Sequence, residues 1–212
     1  MVVQMYRVYP DNPKYQEYET KFNKGWTHAG KTARIKRIYL AKDNDVNKAY
    51  RGKRFNQYRG NKRYKTYFHG TQRACNIGRW GTSLRYCKKP DCSLCGIMWR
   101  SFDVKYTGSG CMFGAGIYTT PSSSKADIYA KNHRLFSRRH AMLICRVIAS
   151  RQQNMTAADH SMTSPSPGYD SVRGLTVAEG GTLNYPEVVV YRNDAIVPVG
   201  VIFYTRKGWV PP

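Results

Sequence analysis

Three cysteines crowd into Cys87-x4-Cys92-x2-Cys95, with Cys75 a short way upstream. Thiolates at this spacing suit zinc, which takes four soft ligands in a tetrahedron. An even total of six cysteines is also compatible with three disulfides. A spread disulfide framework would not pack its cysteines so tightly, so reduced thiols and a metal are expected. A set of Cys75, Cys87, Cys92 and Cys95 leaves no open coordination position, which makes the zinc structural rather than catalytic. Cys111 or a histidine is the alternative to Cys75, and Cys145, inside an apolar run, reads as a buried thiol. A second residue stands out by its charge. Glu187 heads the apolar run Val188-Val189-Val190-Tyr191 in a chain with only 13 acids, a place where a carboxylate is uncommon unless paired or functional. His69 before Gly70, and Tyr118 within Gly116-Ile117-Tyr118, taken singly, have ordinary structural readings.

The elements that must position these residues are read from periodicity. Residues 33–41 alternate apolar and basic side chains, as a strand with one charged face does. Residues 44–58 read as a basic helix capped by Asn44 or Asp45. Residues 64–68 form a short aromatic strand that runs into His69-Gly70-Thr71, and residues 114–120 a glycine-flanked strand. Ser122 caps a helix over 122–132, and 141–150 is an apolar, central strand. Two β-rich runs close the chain after Pro186, separated by the turn Arg192-Asn193-Asp194. Pro10, Pro13, Gly25 and Gly30 are expected to interrupt any long element in residues 1–30. Residues 75–110 are expected to be turn-rich, and 152–168 a loop. Such a pattern gives an α+β fold with antiparallel sheets.

With 212 residues, 41% hydrophobic and 13% aromatic, the chain suits one globular domain and is not disordered in composition. No apolar stretch approaches the roughly 20 residues that span a bilayer, so no membrane association is expected. The first residues lack the apolar core of a signal peptide. Reduced cysteines then point to the cell interior, nucleus or cytoplasm. The net charge of +22 is unevenly spread. Residues 1–69 carry 17 Lys/Arg against 5 Asp/Glu, residues 70–146 carry 13 against 3, and residues 147–212 carry 5 against 5. A basic front joined to a neutral tail suggests a polyanionic partner: nucleic acid, an acidic protein or a phosphate-rich cofactor. The run Lys62-Arg63-Tyr64-Lys65-Thr66-Tyr67 interleaves cations with aromatic faces, which suits single-stranded DNA or RNA.

Four segments in order sharpen this. Phe68-His69-Gly70-Thr71, then Met112-Phe113-Gly114-Ala115-Gly116-Ile117-Tyr118, then Ser122-Ser123-Ser124-Lys125-Ala126-Asp127-Ile128-Tyr129, then Tyr185-Pro186-Glu187-Val188 resemble the catalytic domain of poly(ADP-ribose) polymerases. The likeness is to tankyrase-like members of the His-Tyr-Glu type, and to free-standing fungal domains with a cysteine insert. It runs from about Gly25 to Tyr204 and is close from Pro165 to Gly174. It implies an ADP-ribosyltransferase fold: two packed, mostly antiparallel β-sheets with short flanking helices. It further implies an N-terminal extension over 1–24 and a catalytic domain over 25–212, with a Cys-rich insert at about 75–95.

The same resemblance implies the site. NAD⁺ is the substrate, with His69, Tyr118 and Glu187 as catalytic residues. His69 takes a ribose hydroxyl, and the Gly70 backbone, beside Thr71, takes the nicotinamide carboxamide. Ser124 contacts that carboxamide, and Tyr118 and Tyr129 sandwich the ring, at about 1 kcal/mol per aromatic pair. Glu187 stabilises the oxocarbenium-like state as nicotinamide departs. It can also accept a proton from the acceptor. ADP-ribose then passes to protein, to DNA or RNA, or to the enzyme itself. The alternatives are an NAD glycohydrolase, with water as acceptor, and a non-catalytic basic nucleic-acid-binding module. Glu187 permits chain extension without establishing it. In two respects the chain departs from the family: tankyrases carry their zinc site after the Gly-Ile-Tyr element, and the loop 151–168 is family-variable.

Overall fold

The computed structural model describes residues 4–42, 50–78, 84–108 and 110–207. It begins with strand β1 (Met5–Val8) and helix α1 (Pro13–Gly25). The expectation that prolines and glycines interrupt residues 1–30 is corrected here. Asn12 accepts a hydrogen bond from the Lys14 amide, and Pro13 sits in the first turn, where no amide is needed and its fixed φ favours helix. Tyr15, Tyr18 and Phe22 then recur at helical spacing and form the buried face. Lys21 and Glu17, one turn apart on the outer face, pair at 2.8 Å.

Five strands build the larger sheet in the order β1, β2 (Thr32–Ala41), β9 (Ile196–Lys207), β5 (His140–Ile148), β3 (Tyr64–Gly70), every pair antiparallel. The middle strand, β9, is buried from Ile196 to Tyr204, as its nearly unbroken apolar run requires. It tolerates Pro198 because the register with β5 shifts at Ile144/Cys145, where the ladder is already interrupted. The smaller sheet runs β4 (Ile117–Thr119), β8 (Glu187–Val190), β7 (Ser171–Gly174), β6 (Gln152–Met155), with only the β6–β7 pair parallel. Ile117, Val188 and Val190 belong to the same apolar cluster as the larger sheet, so one core joins the two. This is the expected α+β arrangement of two mostly antiparallel sheets.

Helices α2 (Tyr50–Arg59), α3 (Ser93–Arg100) and α4 (Ser123–Tyr129) flank the sheets. The expected cap of α2 at Asn44 or Asp45 lies outside the described residues. Two further expectations change. The turn-rich 75–110 stretch contains α3, whose short apolar face is Leu94, Cys95 and Met98. The loop 152–168 begins with β6, an edge strand whose polar residues contribute backbone pairing rather than apolar burial. No helix among the described residues is long and apolar enough to cross a membrane.

Helix α4 is fixed at both ends. At its start, Ser122 caps it by accepting from the Lys125 amide. The neighbouring hydroxyls reach across to the end of α1. Ser123 donates to the Phe22 carbonyl at 2.6 Å and Ser122 to the Gly25 carbonyl at 3.0 Å. These serines satisfy carbonyls that a helix C-terminus leaves without partners. Gly25 permits the contact, since a Cβ there would lie 2.5 Å from the Pro121 carbonyl oxygen. Near the other end, buried Asp127 accepts from the Tyr204 hydroxyl and the Arg206 guanidinium, tying α4 to β9.

Removing the Asp127 carboxylate takes the ion-pair partner from a mostly buried guanidinium. Asp127→Ala is expected to lower unfolding free energy by about 3–5 kcal/mol, read by urea denaturation. A loss under about 1 kcal/mol would show that Arg206 finds water instead.

Candidate active site and thiol cluster

A cavity of about 1620 Å³ opens where the two sheets and the cysteine-rich segment meet. His69, Gly70 and Thr71 enter it from the end of β3, Tyr118 from β4, Lys125 and Tyr129 from α4, and Glu187 from the first position of β8. Cys87, Cys92 and Cys95 lie in another part of its wall. Sequence positions more than a hundred residues apart are thus brought to one space.

His69 is oriented by the neighbouring strand. Its Nδ1 lies 2.8 Å from the Tyr118 carbonyl oxygen, which only accepts, so Nδ1 carries the proton and Nε2 is left as an acceptor. Burial pushes the imidazole below its ordinary pKa, outweighing the support that this hydrogen bond gives the charged form. Phe102 meets the ring edge-on at 5.0 Å. Together these hold a neutral imidazole in one tautomer.

Tyr118 presents its ring rather than its hydroxyl. The hydroxyl accepts from the Phe113 amide at 2.8 Å and donates to the Gly114 carbonyl at 3.0 Å, closing the Phe113–Tyr118 turn on itself. Burial raises its pKa well beyond the usual phenol range. Gly114 holds φ +65° there, and a Cβ would sit 1.9 Å from the Met162 carbonyl oxygen, so only glycine fits.

Glu187 is buried and pairs with Lys125 Nζ at 3.1 Å. Burial works against the Lys125 ammonium, but the charge of Glu187 and then Tyr129 outweigh it and raise its pKa. The same ammonium lies 5.7 Å from the centre of the Tyr129 ring, which is half exposed to the cavity. Lys125 is therefore a site residue that residue-by-residue reading passed over. Its signal was its place after the serine run, four residues before Tyr129.

Two expected residues have structural contacts that their motifs do not show. Gly70 has its reason in packing: a Cβ would lie 1.8 Å from the Ala126 carbonyl oxygen, so α4 could not approach β3. Ser124 is absent from the cavity wall. Its Oγ accepts from the Thr27 amide at 3.1 Å and lies 2.6 Å from His28 Nδ1. The His28 ring stacks on Tyr185 at 4.0 Å, two residues before Glu187. Ser124 thus holds the α1 exit and the Tyr185-Pro186-Glu187 segment together from behind the site. The Lys62–Tyr67 run is likewise outside the cavity wall, with Tyr64 set between Arg59 and Arg146 at 5.9 and 5.1 Å.

The four expected cysteines converge. The sulfurs of Cys75, Cys87, Cys92 and Cys95 all lie within 4.8 Å of one another, while Cys111 is elsewhere in the cavity wall. Cys75 is 3.6 Å from Cys95 and 3.7 Å from Cys92. Sulfurs about 2.3 Å from a central zinc are about 3.8 Å apart in a tetrahedron, so the set fits that ion. The Ala74 amide donates to Cys92 Sγ at 3.4 Å, and Cys92 and Cys95 stand at the start of α3, where the helix field favours thiolate. The thiols share protons. The hydrogen bond with Cys92 pushes Cys75 up to about 12, and the same bond draws Cys92 far down. Among the described residues, buried Arg73 hydrogen-bonds neutral groups, Asn132 and the Ile77 and Arg139 carbonyls. Burial disfavours its charge, and ionised Cys75 and Cys92 are the first groups to support it. A dianionic four-thiolate centre would balance this guanidinium. Cys145 is fully buried in β5, and burial raises its pKa.

The family model described as the poly(ADP-ribose) polymerase catalytic domain matches residues 13–207. The match starts within the segment that the ordered motifs leave uncovered. The human protein mono-ADP-ribosyltransferase PARP4 is 30% identical over 97 residues. That segment is 45% of this chain and 6% of the length of that relative.

Gly70→Ala forces α4 away from β3. The substitution is expected to cost about 1–3 kcal/mol of stability, as overpacking does, and to lower the melting temperature. An unchanged melting temperature would show that the Ala126 carbonyl moves freely and that packing is not why glycine stands there.

Proposed function

This chain belongs to the poly(ADP-ribose) polymerase catalytic-domain family, and from that premise we propose that it cleaves the nicotinamide–ribose bond of NAD⁺ and transfers ADP-ribose to an anionic macromolecule. The family carries ADP-ribosyltransferase chemistry with NAD⁺ as substrate. The observation that supports the detailed reading is the convergence of His69, Gly70, Tyr118, Tyr129 and Glu187 on one cavity.

In this reading His69 offers its Nε2 lone pair to a ribose hydroxyl, which donates to it. The Gly70 backbone takes the nicotinamide carboxamide, Thr71 completes that edge of the pocket, and the Tyr118 and Tyr129 faces hold the ring. Ser124 acts through the α1 exit and Tyr185 rather than by touching the carboxamide. As the C1″–N bond breaks, nicotinamide leaves neutral with the bonding pair and positive charge grows on the ribose. The Glu187 carboxylate stabilises that charge. The acceptor's lone pair then forms the new bond to C1″, and its proton passes to Glu187 or to solvent. Lys125 pairs with the carboxylate at 3.1 Å and fixes its direction.

The acceptor side follows charge: the first 146 residues carry the whole +22 surplus, which favours a nucleic acid or an acidic protein, or the chain itself, over a neutral acceptor. The human relative is named for single-unit transfer, whereas Glu187 is compatible with extension. Zinc is proposed for Cys75, Cys87, Cys92 and Cys95, as a fold-stabilising ion that pins α3 to the Arg73–Ala74 segment.

Glu187→Gln keeps the size and removes the charge. It is expected to retain NAD⁺ binding while transfer or elongation falls by about 10² or more, followed by mass spectrometry of products against nicotinamide release. Wild-type transfer and elongation in this variant would remove Glu187 from the mechanism. For the thiol centre, elemental analysis is expected to give one zinc per chain. Cys92→Ser is expected to lose the ion and to melt well below the parent. A metal-free parent with four titratable thiols and an unchanged melting curve would refute a structural zinc.

A further inference from the structure

One part of the cavity wall takes no role in NAD⁺ chemistry. The cysteine-rich segment and the turn that follows it contribute Lys88, Trp99, Arg100, Lys105 and Tyr106, and Lys131 joins them from the chain after α4. Trp99 is 43% exposed and Tyr106 72% exposed, so neither ring is spent on the core. Each has a cation at its side: Lys88 Nζ lies 5.9 Å from the Trp99 ring centre and Lys105 Nζ 5.0 Å from that of Tyr106. The cavity, at about 1620 Å³, exceeds the roughly 300–1,000 Å³ of a small-molecule site. Space therefore remains beyond a dinucleotide, and that space is aromatic and mostly cationic, with the Asp103 carboxylate beside Lys105.

We infer that this wall binds single-stranded nucleic acid and presents it to the site as the acceptor of ADP-ribose. The acceptor role rests on the transfer reading given above; the binding role does not. Phosphates pair with Lys88, Arg100 and Lys131 and compete with Asp103, which lies 3.3 Å away, for Lys105, and unstacked bases satisfy the two exposed ring faces. An acidic peptide would use the cations but leave both rings in water, and a duplex keeps its bases stacked on one another. In the transfer step a nucleophilic nitrogen or oxygen of the strand forms the bond to C1″. Nicotinamide departs with the electron pair of the broken C–N bond, and any proton on the nucleophile passes to Glu187 or to water.

The test uses the whole chain and fluorescence anisotropy with a labelled mixed-sequence single strand, as DNA and as RNA, across a salt series. The same-sequence duplex and a poly-glutamate peptide serve as competitors. Single strands are expected to bind more tightly than either competitor, and the DNA and RNA arms identify the preferred sugar. Trp99→Ala and Tyr106→Ala are each expected to weaken binding about five-fold or more, and Trp99→Phe to recover most of the loss. Lys88→Ser and Lys105→Ser are each expected to reduce the salt slope by about 0.7. Thermal melting of each variant confirms that it is folded. Poly-glutamate binding as tight as the strand would overturn the inference in favour of a protein acceptor, and unchanged affinity in the aromatic variants would overturn it outright. With NAD⁺ added, nicotinamide release without label on the strand rejects the acceptor role and leaves the transferase reading standing. No nicotinamide release with any acceptor rejects the transferase reading, while strand affinity is judged by the binding data alone.

Discussion

Everything at the site is hung on the junction between α1 and α4. A helix C-terminus leaves carbonyls without amide partners, and burying them unsatisfied is costly. Here the hydroxyls of Ser122 and Ser123 supply the partners, and Gly25 lets the two backbones come close enough for it. Because the same serine run also caps α4, its start is defined from both sides. Lys125 and Tyr129 then have little freedom in where they point, and Glu187 receives its counter-charge from a helix that cannot drift. The buried Asp127 with Arg206 and Tyr204 secures the other end of the same helix.

The cavity has two kinds of wall. One is scaffold, made of strand ends and glycines whose geometry is set by carbonyl contacts: Tyr118 to His69, Ala126 to Gly70, Met162 to Gly114. The other is the cysteine-rich segment, which has few backbone ladders of its own and converges on four sulfurs instead. The first wall fixes the His69 tautomer and the orientation of the Tyr118 ring. The second carries exposed rings and cations on a frame held by thiols.

The sequence was informative where a residue's meaning is local. Alternation in residues 33–41 predicted β2, Ser122 read as a cap because a serine before a short apolar helix is one, and the spacing of Cys87, Cys92 and Cys95 pointed to their convergence. It was uninformative where meaning comes from a distant partner. Pro13 looked like a breaker because its role depends on Asn12 and on an apolar face that docks elsewhere. Strand β6, Gln152-Gln153-Asn154-Met155, has no β-rich composition, since an edge strand can be held by backbone bonds to β7 alone. Ser124 could not be assigned a partner from its motif: the Thr27 amide that it holds is 97 residues away. Gly70 is required by an atom that its motif does not show, the Ala126 carbonyl oxygen of the packed helix.

The α1–α4 junction also has a consequence for where the polypeptide can be severed. Met5 is fully buried and its carbonyl accepts from the Leu84 amide, while Phe22 packs against both Phe68 and Tyr204. A protease cut or an engineered start at residue 25 would take the Phe22 carbonyl away from the Ser123 hydroxyl and open the aromatic cluster behind β3. Met5 and Phe22 thus act as a clasp that closes the wall behind the cavity.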